Sequence, residues 1–408
     1  MTTAELPFLD VRRPDFEDDP LVAIREVRAQ GPVARSERGL ELLTHDLVMA
    51  VLRDGRITAP RRPEFIARGA SELVAQFIDD GVKSFMQPET HKRSRRIFGQ
   101  AFRQHRIEDL RPRMRAVAEE LVDGFAARGE CELVGDFADG LSMVVLCELI
   151  GIPVADMAEI LPYTQEVELI LADPLAPVVP RIEEGIRHLT AYTEQLVAER
   201  RRDPRDDVIG ILIEAEQTEG KLSSGELTAG IVDLMFAGIN TTRIQLSSVV
   251  RALIENDVWS SLRDDPARIP GAMEEAMRLY PTIHYVHRIV REEGVELGGV
   301  TLAPGDHVVP NMLAASRDPD RFPEPERFVA DRGEALYQVG FGFGLHHCLG
   351  HAFARATMLA GLEVLTERLQ APAFAGPLHV GPGHGASING VEEMPLTFTA
   401  AGVPAAAA

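Results

Sequence analysis

Cysteine is scarce in this 408-residue chain, which holds only Cys131, Cys147 and Cys348. Three are too few for a disulfide framework, and the pattern fits a reducing cytosol. Long apolar runs are missing as well. Nowhere do 18 apolar residues follow one another, so no transmembrane helix and no membrane partner are expected. Residues 1–20 lack an apolar core behind a basic flank. They do not read as a signal peptide, and the expected location is cytoplasmic. Positive charge is in short supply: 42 Lys plus Arg face 63 Asp plus Glu, a net charge of −21. Phosphate contacts need a net basic face, which argues against nucleic acid as the main partner. What is present, 45% apolar and 26% charged residues, is the composition of an ordinary globular protein rather than of a disordered chain.

Length alone suggests two or three domains. Yet no internal repeat, low-complexity linker or clear boundary appears, so one mainly helical domain with small β-sheets is expected over 1–408, with 401–408 as a frayed tail. Apolar residues recur at three- and four-residue spacing over 107–128, 134–151, 183–201 and 226–256, which predicts helices. Strand-like runs lie near 32–44, 283–302 and 306–311. Proline-bearing patches at 60–63, 173–180 and 319–325 read as loops. The βαβα alternation of a doubly wound sheet is absent.

The segment 226–256 is the most informative helix. Ser223 and Glu226 stand at capping-box spacing and mark its start. Its apolar middle is interrupted by Gly238, Asn240, Thr241 and Thr242. Glycine weakens a helix by about 1 kcal/mol relative to Ala, and buried polar groups cost more without partners. These polar groups either face water or line a kink against a buried ligand.

A second segment, 340–355, surrounds Cys348 with Gly342, Gly344 and Gly350. Glycine is used where backbone must come close to something. A helix is expected from about 349 to 369. A cysteine at its N-terminus would feel the positive end of the helix dipole, which favours the thiolate. A thiolate in such surroundings needs a partner, and an iron ion would serve. The adjacent His346 and His347 lack zinc-site spacing. The run 381–386 loosely matches a dinucleotide fingerprint, but it follows no long strand and opens no helix.

Phe341, Gly342, Gly344, His346, Cys348 and Gly350 fill every fixed position of the haem-binding loop of the cytochrome P-450 family, the haem-thiolate monooxygenases, which this chain resembles. Further blocks follow the family order. Glu275 and Arg278 resemble the Glu-x-x-Arg pair, and Arg327 resembles the third member of that ion cluster. Ala237, Gly238, Asn240 and Thr241 resemble the oxygen-activation groove of a long central helix over the haem. The resemblance implies a single-domain cytochrome P-450 fold of the soluble bacterial type, haem b as cofactor and Cys348 as axial iron ligand. His91, Arg95, Arg288 and His346 resemble the propionate ligands, since cationic and donor groups suit carboxylates.

The activity implied is monooxygenation with O2 as co-substrate. A proximal thiolate favours cleavage of the O–O bond. The expected outcome is oxidation, chiefly hydroxylation, of a C–H bond in a medium-sized molecule. No flavin or nicotinamide segment is recognisable, so electrons from NAD(P)H are expected through a separate ferredoxin-type donor. Residues 91–115 carry nine basic residues against Glu108 and Asp109, a basic island that either steers such a donor or is a solvated helix face. A monomer is expected.

One departure stands out. The family usually has Asp or Glu before the threonine, and Asn240 cannot release a proton as an acid does. The amide is expected to bind the substrate or fix a water. Peroxide-driven or non-hydroxylating chemistry is the alternative, and a non-catalytic haem sensor is the reading of a different class. By analogy the substrate pocket draws on Phe85, Met86, Phe236, Ala237, His284, Tyr285, Val286, Ser387 and Ile388, with 169–183 as a mobile lid.

Overall fold

The computed structural model describes residues 5–13, 16, 19–217, 222–333, 337–382 and 387–401. Residues 402–408 of the expected tail and 383–386 of the glycine-rich run lie outside the described residues. Eight helices frame the site: α1 (Pro88–Phe98), α2 (Gln104–Phe125), α3 (Asp139–Ile150), α4 (Met157–Glu168), α5 (Val179–Arg202), α6 (Ser224–Glu255), α7 (Ile269–Leu279) and α8 (His351–Arg368).

The expected periodic segments are all helical, with shifted ends. Segment 107–128 becomes α2 followed by a 3-10 turn at Ala126–Arg128, and 134–151 becomes a π turn at Val134–Ala138 leading into α3. The proline patches are only partly loops. Pro63 lies in the first turn of a helix at Arg62–Ala67, and Pro180 in the first turn of α5. Proline is tolerated there because the first N–H groups of a helix have no intrahelical partner.

Helix α6 begins as its sequence dictates. The Ser223 hydroxyl accepts from the Glu226 N–H at 3.2 Å, and Glu226 Oε2 accepts from the Ser223 N–H at 2.8 Å. The helix then runs unbroken to Glu255, with no interruption at Gly238. Buried residues surround it on all sides, as expected of a helix that crosses a core. It packs on α3, α5, α7 and a strand at Asn389–Glu393. Helix α8 packs along α2, and α4 on α5. Ile107, Met114, Val117, Ala118, Val122 and Phe125 turn the apolar stripe of α2 inward.

A mixed five-stranded sheet flanks the helices. In sequence order its strands are β1 (Val33–Ser36), β2 (Gly39–Leu42), β3 (Ile57–Thr58), β4 (Arg288–Val290) and β5 (His307–Pro310), and their spatial order is β1-β2-β5-β4-β3. Leu40 pairs in parallel with Val308, which pairs antiparallel with Arg288. This register fixes Arg288 at the cavity wall. A second apolar core, including Leu42, Val290 and Val308, lies against this sheet. No helix among the described residues is long and apolar enough to cross a membrane.

Candidate active site

Cys348 sits in a loop between the sheet side and α8. Its N–H donates to the Phe341 carbonyl at 2.9 Å, closing the loop on itself. Gly342 and Gly344 both have φ +67, a conformation other residues rarely adopt. A Cβ at Gly344 would also collide with the Leu52 carbonyl. Helix α8 begins only at His351, with Gly350 as its N-cap, so Cys348 precedes the first helical turn rather than lying in it. Burial pushes the bare thiol up, while the Gly350 N–H, Arg95 and Arg355 pull it down. Desolvation outweighs these pulls, so a thiolate here needs the cationic partner expected from the sequence. Cys131 and Cys147 are buried thiols pushed up to about 12 by desolvation. Cys147 donates to the Met157 sulfur at 2.8 Å, as a core residue would.

Across a cavity from Cys348 lies the middle of α6. Ala237, Gly238 and Thr241 line that cavity. A Cβ at Gly238 would sit 2.8 Å from Leu146 Cδ2, so glycine lets α6 settle against α3. The Thr241 hydroxyl donates to the Ala237 carbonyl at 2.7 Å. Asn240 points elsewhere. It is 4% exposed, and its Nδ2 donates to Glu168 Oε2 at 2.5 Å. The expectation of a substrate or water partner is corrected: the amide's partner is a carboxyl from the end of α4.

The family blocks converge on this cavity. A cytochrome P450 profile matches residues 269–371. The mycinamicin IV hydroxylase/epoxidase of Micromonospora griseorubida is 33% identical over 91% of this chain and 94% of its own. The chain belongs to the cytochrome P450 family. The erythromycin C-12 hydroxylase of Saccharopolyspora erythraea is 33% identical over 84% of this chain and 85% of its own. The crystal structure of CalO2 superposes with a TM-score of 0.89 at 26% identity, covering 97% of this chain and 99% of that one. The fold is thus that of a cytochrome P450, and the chain is an oxygen-incorporating oxidoreductase. P450s use haem b and O2, with electrons from NAD(P)H delivered by redox partners.

The side chains around the P450 cavity fit a haem. His91 and His346 pack with ring centroids 4.5 Å apart, and the Nδ1 of each is buried with no partner among the described residues. Burial, first of all, holds them neutral, at about 4 and about 3. Arg288 is 8% exposed and faces no carboxylate among the described residues; it donates to the His287 carbonyl at 2.8 Å. Desolvation alone pushes it down to about 10. Arg95 donates to the His347 carbonyl at 2.5 Å and is lowered by burial, while Cys348 raises it. Orphaned imidazole nitrogens beside uncompensated guanidinium groups are what a pair of propionates would satisfy.

The ion cluster needs one correction. Arg278 grips Glu275 with two bonds of 2.8 Å, both side chains fully buried. The second guanidinium on Glu275 is that of Arg332, at 2.9 Å, not that of Arg327. The Arg327 side chain is 66% exposed and pairs with Glu324. Only its carbonyl joins the cluster, accepting from Arg278 at 3.3 Å and Arg332 at 3.2 Å.

Of the expected pocket residues, Phe85, Ala237, Tyr285, Val286 and Ser387 line the cavity. Met86, Phe236, His284 and Ile388 do not. Met86 is buried at 4% exposure, and Phe236 faces Phe77 at 6.5 Å. Ile388 bridges to Ile283, and the His284 backbone bonds Ser387, Met312 and Leu313. Ile170 and Leu171, from the expected lid, line the cavity.

The largest omission is an ion pair in the wall: Lys83 Nζ lies 2.7 Å from Asp233 Oδ2 and 3.9 Å from the Phe98 ring centroid. Asp233, Ala237 and Thr241 stand four apart on α6, so a carboxylate inside an apolar run was the available signal. Glu168, between Val167 and Leu169, carried the same signal.

The basic island is thinner than its sequence. Arg93 pairs with Glu226, Arg106 with Asp206, Arg113 with Glu148 and Arg115 with Glu367. Arg96 and Arg103 are exposed, with no ion pair among the described residues.

Proposed function

We propose that this P450 hydroxylates a C–H bond of a medium-sized, partly oxygenated molecule, fed by an acidic ferredoxin-type donor. The observation that carries the reading is the juxtaposition of Cys348, in its glycine-bearing loop, with the Ala237–Gly238–Thr241 face of α6 across one cavity. In this reading Cys348 would hold the haem iron through its thiolate. His91, Arg95, Arg288 and His346 would hold the propionates. A haem held there would supply the O2-activating chemistry that a proximal thiolate favours. Phe341 and Gly350 shape the loop, and Gly342 its turn. Glu275, Arg278 and Arg332 brace the segment around them.

Thr241 would hold a proton-bearing hydroxyl at the cavity floor. Its bond to the Ala237 carbonyl orients that hydroxyl. Aromatic and aliphatic groups, among them Phe85, Ile170, Leu171 and Val286, would exclude water and orient the substrate. The wall pair Lys83–Asp233 and the neutral His287 offer polar contacts, which supports a partly oxygenated substrate. Exposed Arg96 and Arg103 support docking of an acidic donor. The same reading has the chain act as a single haem domain, a monomer in the cytoplasm, which its unpaired thiols support.

The test is a spectral-shift screen of the haem-loaded protein that begins with mycinamicin IV and erythromycin, the compounds in the relatives' names. Ligands that shift the spectrum are then incubated with ferredoxin, its reductase and NADH, or with hydrogen peroxide alone. Hydroxylated product in the first mixture supports the reading. Product with peroxide only, or a desaturated or rearranged product, overturns it in favour of altered chemistry.

A further inference from the structure

The cavity wall carries more positive charge than its own carboxylates balance. Among the described lining residues Asp233 is the one carboxylate, and Lys83 holds it at 2.7 Å. His91, Arg95, Arg288 and His346 are the groups that fit the propionates. One lining cation is left over. Arg68 is half-buried and has no carboxylate partner among the described residues.

A short helix and a turn put Arg68 there. It caps the C-terminus of the helix at Arg62–Ala67, its N–H donating to the Glu64 carbonyl at 3.1 Å. Gly69 follows at φ +94, and a Cβ there would lie 2.7 Å from that of Ala176. The turn therefore abuts segment 172–176, just after the lining residues Ile170 and Leu171. The guanidinium reaches across the same gap and donates to the Ala172 carbonyl at 2.7 Å. A guanidinium has five N–H donors, so this bond leaves most of them, and the whole charge, for an occupant.

A second group suits the same end of that occupant. His287 also lines the cavity. Burial first, and then Arg68 ahead of every other charge, holds it neutral at about 4. The opposing pull of Asp173, an exposed carboxylate, is weaker than that of Arg68 or Arg38, so the local balance is positive. A neutral imidazole can still donate one hydrogen bond to an anion. The rest of the wall is chiefly apolar, with Phe85, Leu146, Ile170, Leu171, Leu234 and Val286.

We propose that Arg68, assisted by His287, captures the carboxylate of an acid whose remaining body is apolar, so that amphiphilic carboxylic acids are the substrate class of this site. The inference rests on the monooxygenase reading and names its substrate. An Arg–carboxylate contact is charge-assisted and can be bidentate, which an alcohol cannot match. The net charge of −21 repels acids at a distance, but salt screens that repulsion within about 8 Å at physiological ionic strength. Inside the cavity the nearest charge decides, and that is Arg68.

Two probe pairs test this on the haem-loaded protein at neutral pH: dodecanoic acid against dodecanol, and 4-butylbenzoic acid against 4-butylbenzyl alcohol. Binding is followed by the haem spectrum and, independently, by calorimetry. At least one acid should bind about tenfold or more tightly than its alcohol. Arg68→Gln should bring that ratio below about threefold, and Arg68→Lys, which keeps the charge, should retain most of it. A merely structural role, as a latch on Ala172, would weaken acid and alcohol alike. An unchanged ratio in Arg68→Gln therefore overturns the proposal, as does equal binding of acid and alcohol by the wild type, or binding of neither acid. Should Arg68→Gln not fold, the wild-type ratio and that of Arg68→Lys decide by the same limits. The ratio is read without turnover. An acid that binds with the expected preference but gives no hydroxylated product with ferredoxin, reductase and NADH leaves the acid preference standing and counts against the monooxygenase reading.

Discussion

Arg332 Nε lies 2.9 Å from Glu275 Oε1, so that one fully buried carboxylate holds two guanidinium groups, its own helix neighbour Arg278 and one delivered by a loop 57 residues on. The arrangement ties α7 to the segment that leads into the cysteine loop. Removing the carboxylate strands two buried cations, and removing either arginine unbalances the rest.

Glu275→Ala and Arg332→Ala should each cost about 3–5 kcal/mol, the range for breaking a buried pair. Arg327→Ala should cost no more than about 1 kcal/mol, since its side chain is an exposed partner of Glu324. Denaturant unfolding, with haem content after purification, separates them. An Arg327→Ala protein as damaged as Arg332→Ala would contradict the assignment.

Cys348→Ser should abolish the red-shifted band of the reduced carbon monoxide complex. Cys131→Ala and Cys147→Ala should leave it in place, because both thiols sit in the core away from the cavity. Persistence of the band in Cys348→Ser would remove the axial-ligand reading.

Stability should depend on pH through Glu168. The folded protein keeps its proton up to about 7, whereas the ordinary carboxyl releases it near 4.5. Between these values the folded state binds more protons than the unfolded chain. Its contribution is therefore fully present below pH 4.5 and lost as pH rises through about 7. A shift of that size corresponds to about 3 kcal/mol at most. Glu168→Gln, which cannot ionise, should gain on the wild type by up to that amount between pH 4.5 and 8 in denaturant unfolding. A constant difference between the two proteins would refute the shift.

Arg96→Glu and Arg103→Glu should raise the KM for an acidic ferredoxin several-fold and flatten its dependence on salt, because both side chains are exposed and unpaired among the described residues. Arg115→Gln, whose partners are Glu119 and Glu367, serves as the comparison and should change little. Stopped-flow reduction at several ionic strengths gives both quantities.

Much of this was legible in the chain because the signals are local. The capping box at Ser223 and Glu226 fixed the start of α6 to within two residues, and the cysteine loop announced itself by its glycines. Partners drawn from far along the chain were not legible. Arg327 and Arg332 are both arginines in one loop, and only the fold decides which side chain turns inward to Glu275. Lys83 and Asp233 are 150 residues apart, Glu168 and Asn240 are 72 apart, and nothing in a linear pattern pairs them. In each case the clue was a charge inside an apolar stretch, which states that a partner exists without saying where. Analogy with the family likewise placed Phe236 and His284 at the pocket wrongly, because one step along a helix or loop turns a side chain from cavity to core.

Glu168 closes α4, and Ile170 and Leu171, two and three residues later, form part of the cavity wall. A bulky guest that pressed this wall outward would also tug on the carboxyl beside it and strain its bond to Asn240. The size of an occupant would thereby be felt in the acidity of a group it never meets.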